Sequence, residues 1–240
     1  MDTIRFSISS WSGWTVPANP SAPLAREGNH IRFSDVPDAS GVPALLRRRL
    51  NFMGRSCVGE MLLHLEADAN LPIVFCSRHG DIERTLKVLI ELAAGEPMSP
   101  MDFSLAVHNA IAGVLSIHCG ITANISSMAS GPGAVVPVLL EAAGLLSEKS
   151  PKVLCIICDV ALPEIYRTPD EPGGHPFVAC FTVTSADHDA LQLRYEGAAA
   201  TAGGSDDTPL AFIDFLTSGV AAFRTVHNAG SWSISRQVAT

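Results

Sequence analysis

The arrangement of side chains most suggestive of chemistry lies in residues 127–133, Ser-Met-Ala-Ser-Gly-Pro-Gly, here called the elbow. We predict a strand before it and a helix after it, over residues 133–147. Many α/β enzymes present a Ser or Cys in this way, because the sharp turn exposes the side chain and the helix N-terminus stabilises negative charge beside it. No Cys, Lys, His or Asp occupies the elbow. The elbow therefore has the form of a nucleophile site without a strong nucleophile.

Ser130 and Cys119 are the remaining candidates for a nucleophile. The residues around Ser130 do not fit the G-x-S-x-G pattern that permits the strained turn of serine hydrolases, so the pattern favours a helix cap. Cys119 follows His118 in a predicted strand, where neighbouring side chains point to opposite faces and cannot form a dyad. An acyltransferase or hydrolase that uses Ser130 or Cys119 stays open as an alternative.

No motif predicts a metal or an organic cofactor. Cys155 and Cys158 form a C-x-x-C, but they lie in a predicted strand, and its alternation places them on opposite faces. The glycines of the elbow do not form the G-x-G-x-x-G pattern of dinucleotide-binding folds. Arg78 and His79 follow a predicted strand, a position where α/β proteins often bind ligands, but His and Arg are common in loops and form no motif here. We therefore expect no cofactor and no metal.

Composition argues against nucleic acid or an anionic membrane as a partner. The 240 residues are 47% hydrophobic and 17% charged, with a net charge of −8 and scattered acidic residues. The one basic cluster, Arg47, Arg48, Arg49 and Arg55, lies on a predicted helix and indicates a solvated face or a phosphate-facing stripe. No signal peptide is visible, and no apolar run reaches the roughly 20 residues that span a bilayer, so we expect a cytoplasmic protein.

Hydrophobic periodicity predicts one α/β domain. Strands that alternate with helices indicate a mainly parallel sheet covered on both faces, with an antiparallel addition where strands follow directly. The predicted strands are 3–9, 71–77, 114–126, 152–160, 177–185, 191–197 and 231–237, the predicted helices are 43–68, 81–95, 102–113, 133–147 and 208–224, and the predicted loops are 11–20, 21–42 and 199–207.

Four segments together resemble the N-terminal half of β-ketoacyl synthases of the thiolase fold. They are FCSRHGDIERTLKVLIEL, SPMDFSLAVHNAIAG, ITANISSMASGPGA and VLCIICD. The likeness is good over about residues 70–160, loose before them and weak after residue 185. It implies a thiolase-like mixed, mainly parallel sheet covered by helices, and one truncated ketosynthase-like domain over residues 1–240.

The resemblance also implies a loss of catalysis. The family's catalytic Cys falls on Ala129 or on Met128, depending on the alignment, and neither side chain can attack a thioester. The family's two catalytic His lie in motifs of a C-terminal half that this sequence lacks, and His227 is not a substitute. The chain then resembles the short chain length factors of bacterial aryl polyene pathways, which are inactive ketosynthase homologues.

As such a factor, the chain would pair with a full-length β-ketoacyl synthase in a heterodimer or heterotetramer and shape its acyl tunnel. An acyl carrier protein is a possible further partner, and a structural homodimer is the remaining alternative. In the family, the helix near Ser104–Ala112 lies near the dimer interface, and the strand after it pairs across the two-fold axis. The resemblance thus implies partner-interface residues Ser104, His108, Asn109, Ile117, Cys119, Ile121, Ala123 and Ile125, with Met98, Met101 and Phe103 as candidates for the tunnel floor.

Overall fold

The computed structural model describes residues 3–17, 30–65, 70–131, 133–147, 150–169, 174–187, 189–198 and 208–236. Nine strands and seven α-helices form within these ranges. The strands are β1 (Ile4–Thr15), β2 (Ile31–Phe33), β3 (Ile73–Cys76), β4 (Ile125–Met128), β5 (Lys152–Asp159), β6 (Phe177–Ser185), β7 (Leu191–Ala198), β8 (Ala222–His227) and β9 (Gly230–Arg236). The helices are α1 (Ala44–Arg47), α2 (Phe52–His64), α3 (Ile82–Ala93), α4 (Pro100–Leu105), α5 (Ala110–Cys119), α6 (Val135–Leu145) and α7 (Pro209–Thr217), with a 3-10 turn at Glu164–Tyr166.

The strands form one mixed sheet in the order β4-β3-β5-β6-β1-β7-β9-β8, and β2 lies beside the end of β1. The predicted mixed sheet is confirmed, but its parallel part is narrower than expected. Among the described strands, only β3 with β4, β3 with β5, and β1 with β2 pair in parallel. Strands that follow each other without a helical crossover, such as β8 and β9, pair antiparallel instead.

Helices cover both faces of the sheet. α2 and α5 pack on one face with a cluster that includes Met61, Leu115 and Phe75, and α6 and α7 pack on the other with Leu139 and Phe212. Because successive side chains of a strand alternate between faces, Cys155 and Cys158 of β5 belong to different clusters. The prediction that this C-x-x-C does not converge is confirmed.

The largest error in the predicted elements concerns residues 102–126. The predicted helix is two short helices, α4 and α5, and the predicted strand 114–126 is wrong over most of its length. Residues 114–119 continue α5, which ends at Gly120 in the left-handed region (φ +67°) with its N–H bonded to the Ser116 carbonyl. Only residues 125–128 are strand. An apolar run without alternation fits both a buried strand and a buried helix. In residues 114–119 the helix is the stable form, because α5 packs against α2.

Other boundaries also differ from the prediction. β1 continues through Thr15, so residues 11–15 are strand and not loop, and β2 interrupts the predicted loop 21–42. The predicted helix 43–68 is divided by Asn51, whose side chain accepts a hydrogen bond from the Gly54 N–H and begins α2. The predicted helix 208–224 ends at Thr217, and its last residues form the start of β8. The predicted loop 199–207 lies outside the described residues.

In the part of the chain that the structure describes, no helix is both long enough and apolar enough to cross a bilayer.

Candidate functional site

The elbow joins the edge strand β4 to helix α6. β4 pairs with β3 in parallel register, with Ile125 opposite Ile73, and has no strand partner on its other side among the described strands. Ala129 lies exposed directly after β4, and Met128 is half-buried at its end. A methyl group and a thioether cannot form an acyl-enzyme bond, so neither position that the resemblance assigns to the nucleophile can carry that step.

Two hydrogen bonds to one carbonyl hold the start of the elbow. The Ser77 N–H donates to the Met128 oxygen at 3.2 Å, and Nε2 of His108 lies 3.0 Å from the same oxygen. A carbonyl only accepts, so His108 donates from Nε2. Its ring also meets Phe75 edge-on, and a Cβ on Gly80 would lie 2.9 Å from Nδ1. Sequence reasoning placed His108 at the partner interface, and the structure gives it a contact that supports the elbow.

The end of the elbow packs under the C-terminal hairpin. Gly133 has φ +73°, and a Cβ there would lie 2.2 Å from the Val226 oxygen and 3.2 Å from Cβ of His227. Only glycine combines this conformation with so close an approach. His227 therefore lies beside the elbow, but its ring forms no hydrogen bond with any other described residue.

The loop after β3 is fixed by a buried carboxylate. Oδ1 of Asp159 accepts from the Ser77 hydroxyl at 2.8 Å and from the Arg78 N–H at 2.9 Å. Burial raises the pKa of Asp159, and the hydrogen bonds from Ser77, Arg78 and His79 oppose that rise. Arg78 and His79 thus contribute backbone donors to a structural loop, and the arginine side chain lies within 4 Å of the Cβ position of Gly131.

The alternative nucleophiles lack an activating base. The Ser130 hydroxyl is buried and has no hydrogen-bond partner among the described residues. Burial raises the pKa of the Cys119 thiol, which disfavours the reactive thiolate. Cys119 lies on a helix rather than the predicted strand, and its helical neighbour His118 still points elsewhere because successive residues are about 100° apart. Burial, followed by the Asp159 charge, raises the pKa of Cys76, at the end of β3, to about 12.

Large apolar side chains are exposed close to the elbow in sequence. Of the thirteen large hydrophobic residues that the structure shows exposed, eight lie within residues 89–117. We call these eight the apolar surface, and soluble monomers seldom expose such a concentration without covering it. Its members on α3, on α4 and the turns beside it, and on α5 are Leu89, Ile90, Leu92, Met98, Met101, Phe103, Val107 and Ile117.

Ion pairs fasten the polar side of α4 to α3. Ser99 caps α4 by accepting from the Asp102 N–H, and Asp102 binds Arg84 at 2.8 Å and Lys87 at 2.6 Å. The hydrogen bond from Lys87, together with both positive charges, lowers the pKa of Asp102. Since Asp102 faces α3, its neighbours Met101 and Phe103 are left on the outside of the helix.

The predicted interface residues fall into several environments. Ser104 and Asn109 are exposed, and Ile117, on α5, is 83% exposed. Cys119, Ala123 and Ile125 are half-buried along the path from α5 to β4. Ile121 is buried in the chain's own core and presents no surface. The predicted tunnel-floor residues Met98, Met101 and Phe103 all belong to the apolar surface.

Sequence reasoning missed the outer residues of α3. Leu89, Ile90 and Leu92 are exposed, and Val88 is the only buried residue of this helix. The signal was present, because IERTLKVLIELA carries more apolar residues than one buried stripe of a helix can use.

Among the described residues, no group of three or more His, Cys, Asp or Glu side chains is arranged to hold a metal ion.

The sequence-family model of the β-ketoacyl synthase N-terminal domain matches residues 13–235 of this chain. The chain belongs to this family. No curated protein matches the sequence at a significant level. The thiolase-like fold implied by the resemblance is confirmed by the solved structures.

Three similar structures show the same fold. The ketosynthase ApeO in complex with its chain length factor ApeC, from Xenorhabdus doucetiae, matches with a TM-score of 0.76 and 23% identity over 97% of this chain and 100% of that chain. The ishigamide ketosynthase/chain length factor matches with a TM-score of 0.61 and 12% identity, over 81% and 82% of the two chains. AntDE:AntF, a type II PKS acyl-carrier protein in complex with its ketosynthase, matches with a TM-score of 0.58 and 16% identity, over 85% and 87%.

Proposed function

We propose that this chain is a non-catalytic subunit of the chain-length-factor type, which pairs with a complete β-ketoacyl synthase and shapes its acyl tunnel. The observation that carries the proposal is the elbow, which retains its strand, its supporting hydrogen bonds and its helix but has Met128 and Ala129 where a nucleophile would stand. The fold likeness to ketosynthase–chain length factor complexes supports it.

The apolar surface and the open edge of β4 are the proposed binding region for the ketosynthase. A strand edge offers unpaired backbone donors and acceptors that a partner strand can satisfy. Because β4 has only four residues, strand pairing alone is a small contact, and the apolar surface would supply most of the buried area. Of the predicted interface residues, Ser104, His108, Asn109, Ile117, Cys119, Ala123 and Ile125 stay in this proposal, and Ile121 does not.

Met98, Met101 and Phe103 are proposed to close the floor of the partner's acyl tunnel. Phe103 is 58% exposed and lies about 100° around α4 from Asp102, whose ion pairs hold this helix against α3. Thioether and aromatic side chains fill apolar space well and would limit the length of a growing acyl chain. An aryl polyene product belongs to the same proposal and is supported by the resemblance of the sequence.

The length of the product tests this function. The ketosynthase pair would be supplied with a loaded acyl carrier protein and an extender unit, and the products would be measured by mass spectrometry. Phe103→Ala should shift the products to longer chains, while Ile165→Ala, at an exposed apolar residue of the 3-10 turn, should leave them unchanged. An identical product distribution for both variants would contradict a role of Phe103 in the tunnel.

A further inference from the structure

Two methionines of the apolar surface present their thioethers to solvent. Met98, in the turn before α4, is 37% exposed, and Met101, in the first turn of that helix, is 54% exposed. The other methionines of the described residues are enclosed by the chain, with Met53 and Met61 buried in the core and Met128 half-buried at the end of β4. A small oxidant in solution therefore meets the sulfur atoms of Met98 and Met101 before the others.

A hydroperoxide is the class of oxidant that suits an exposed thioether. The sulfur lone pair attacks the hydroxyl oxygen of the peroxide, the O–O bond breaks, and the proton of the attacked oxygen moves to the leaving oxygen, which departs as water or an alcohol. The methionine is oxidised to its sulfoxide and the hydroperoxide is reduced. No deprotonation of the side chain precedes this step, so the reaction proceeds at neutral and mildly acidic pH.

The thiols of this chain compete poorly for the same oxidant, because the thiolate is the reactive form. Burial raises the pKa of the Cys119 thiol, the only one of the six cysteines that is not buried. Burial also raises the pKa of Cys76 to about 12 and holds the pKa values of Cys155, Cys158 and Cys180 well above their ordinary range. Hydroperoxide chemistry is thereby directed to the methionines of the apolar surface.

Oxidation changes the character of the surface at its most constrained part. The ion pairs of Asp102 with Arg84 and Lys87 hold α4 against α3, so Met101 is presented from a fixed helix. A sulfoxide oxygen is a strong hydrogen-bond acceptor, and a partner surface that excludes water without supplying a donor leaves it unpaired at a cost in binding free energy.

We propose that Met98 and Met101 are hydroperoxide modification sites, that their oxidation to sulfoxides blocks pairing of the free chain with the ketosynthase, and that the bound ketosynthase protects both. This inference rests on the proposed function, which supplies the partner that covers the apolar surface. Because methionine sulfoxide is reduced enzymatically, the block is reversible.

The experiment treats the free chain with tert-butyl hydroperoxide at about pH 6, where thiolates are scarce, and then measures Kd for the ketosynthase by titration calorimetry. Peptide mass spectrometry should find one added oxygen on Met98 and one on Met101, and none on the buried Met53 and Met61. We expect Kd to rise about tenfold or more, and methionine sulfoxide reductases should restore it.

The double variant M98L/M101L is the matched control, because leucine keeps similar apolar volume and cannot form a sulfoxide. It should bind within about twofold of the wild type before and after treatment, although it retains Cys119 and the buried methionines. In the preformed pair, both methionines should be oxidised several-fold more slowly than in the free chain.

An unchanged Kd after both sulfoxides have formed would overturn the inference. An equal loss of binding in M98L/M101L, or equal oxidation rates in the pair and the free chain, would overturn it as well. The untreated chain separates the two proposals. If it pairs normally and the oxidised chain pairs equally well, only the oxidation inference fails, whereas failure of the untreated chain to pair contradicts the proposed function and the inference with it.

Discussion

Arg84 and Asp102 connect the two helices that carry most of the apolar surface, with Nη1 of the arginine 2.8 Å from Oδ1 of the aspartate. The pair is mostly buried, with 11% and 14% of the two side chains exposed. Asp81, Lys87 and Glu91 extend it into a network of five charges. The network fixes α4 against α3 by its polar side, and this orientation leaves Met101 and Phe103 available to a partner.

Loosening this connection should weaken pairing without unfolding the chain. Asp102→Asn removes the charge that Arg84 and Lys87 share, while Asp81 still neutralises Arg84. We expect a Kd for the ketosynthase several-fold higher, on the order of threefold to tenfold, because α4 must be ordered on binding. Glu96→Gln, an exposed carboxylate near α4, is the control and should have no effect. Titration calorimetry of the two variants measures the difference, and equal affinities would contradict the positioning role.

Charged substitutions on the apolar surface should weaken pairing strongly. Met101→Glu and Ile117→Glu place a carboxylate where we propose that the partner excludes water, and we expect a loss of roughly tenfold or more in affinity. Ile165→Glu changes a residue that is 72% exposed in the 3-10 turn and should pair normally. Size-exclusion chromatography with light scattering reads out the pair, and persistence of the complex in Met101→Glu would remove α4 from the interface.

Gly133 in the elbow should be required for stability, whereas Gly144 in α6 should not. Gly133→Ala forces a Cβ to within 2.2 Å of the Val226 oxygen at positive φ, so we expect a loss of about 2 kcal/mol or more in unfolding free energy. Gly144→Ala, within α6 and in open space, should instead stabilise by about 0.5–1 kcal/mol. Urea denaturation compares them. A neutral Gly133→Ala would mean that the hairpin does not pack on the elbow.

The candidate nucleophiles should be dispensable. Ser130→Ala should leave product formation by the pair unchanged, and neither Ser130 nor Cys119 should take up an acyl group, because neither side chain has a base to activate it. Incubation of the chain alone with an acyl thioester, followed by intact-protein mass spectrometry, should show no adduct. A stable acyl adduct at either residue would establish an acyltransferase or hydrolase instead.

His64 should make stability depend on pH. Its Nε2 and Nδ1 each lie 2.8 Å from the hydroxyls of Ser12 and Ser10, and Ser12 donates to Glu60, which also pairs with Arg32. Burial, and then the Arg32 charge, lowers the pKa of His64 from 6.5 to about 4. The unfolded chain therefore binds the proton more readily, so this contribution to stability is full above pH 6.5 and is lost as the pH falls toward 4.

Between about pH 7 and pH 5 we expect the unfolding free energy of the wild type to fall by about 1–2 kcal/mol relative to His64→Gln. Burial raises the pKa of Glu60, which acts in the opposite direction, and the comparison with the variant isolates His64. Urea denaturation at a series of pH values provides the free energies. Parallel curves for the two proteins would show that His64 does not take up a proton in this range.

The central strands and the helix after Asp81 could be predicted from local pattern alone. β3, β5 and β6 are short apolar runs bounded by turn residues, and Asp81 caps α3 by accepting from the Arg84 N–H. Each of these signals lies within a few residues of sequence and needs no knowledge of tertiary contacts.

Residues 114–119 could not be assigned from local pattern, because their helical state depends on packing of α5 against α2. The extension of β1 through Thr15 likewise depends on its pairing with β6, which is distant in sequence. The hydrogen bond from His108 to the elbow could not be predicted from local pattern either, since the residues that meet at the Met128 oxygen come from three separate segments. Contacts between distant segments override local preference at these places.

Pairing with a ketosynthase is the central claim, and co-expression with a full-length β-ketoacyl synthase from the same organism tests it most directly. Size-exclusion chromatography with light scattering would give the mass of whatever species contains this 25.3 kDa chain. We predict one peak that holds both proteins in equal amounts and persists on dilution. Two separate peaks, or a homodimer of this chain that does not bind the ketosynthase, would contradict the proposed function.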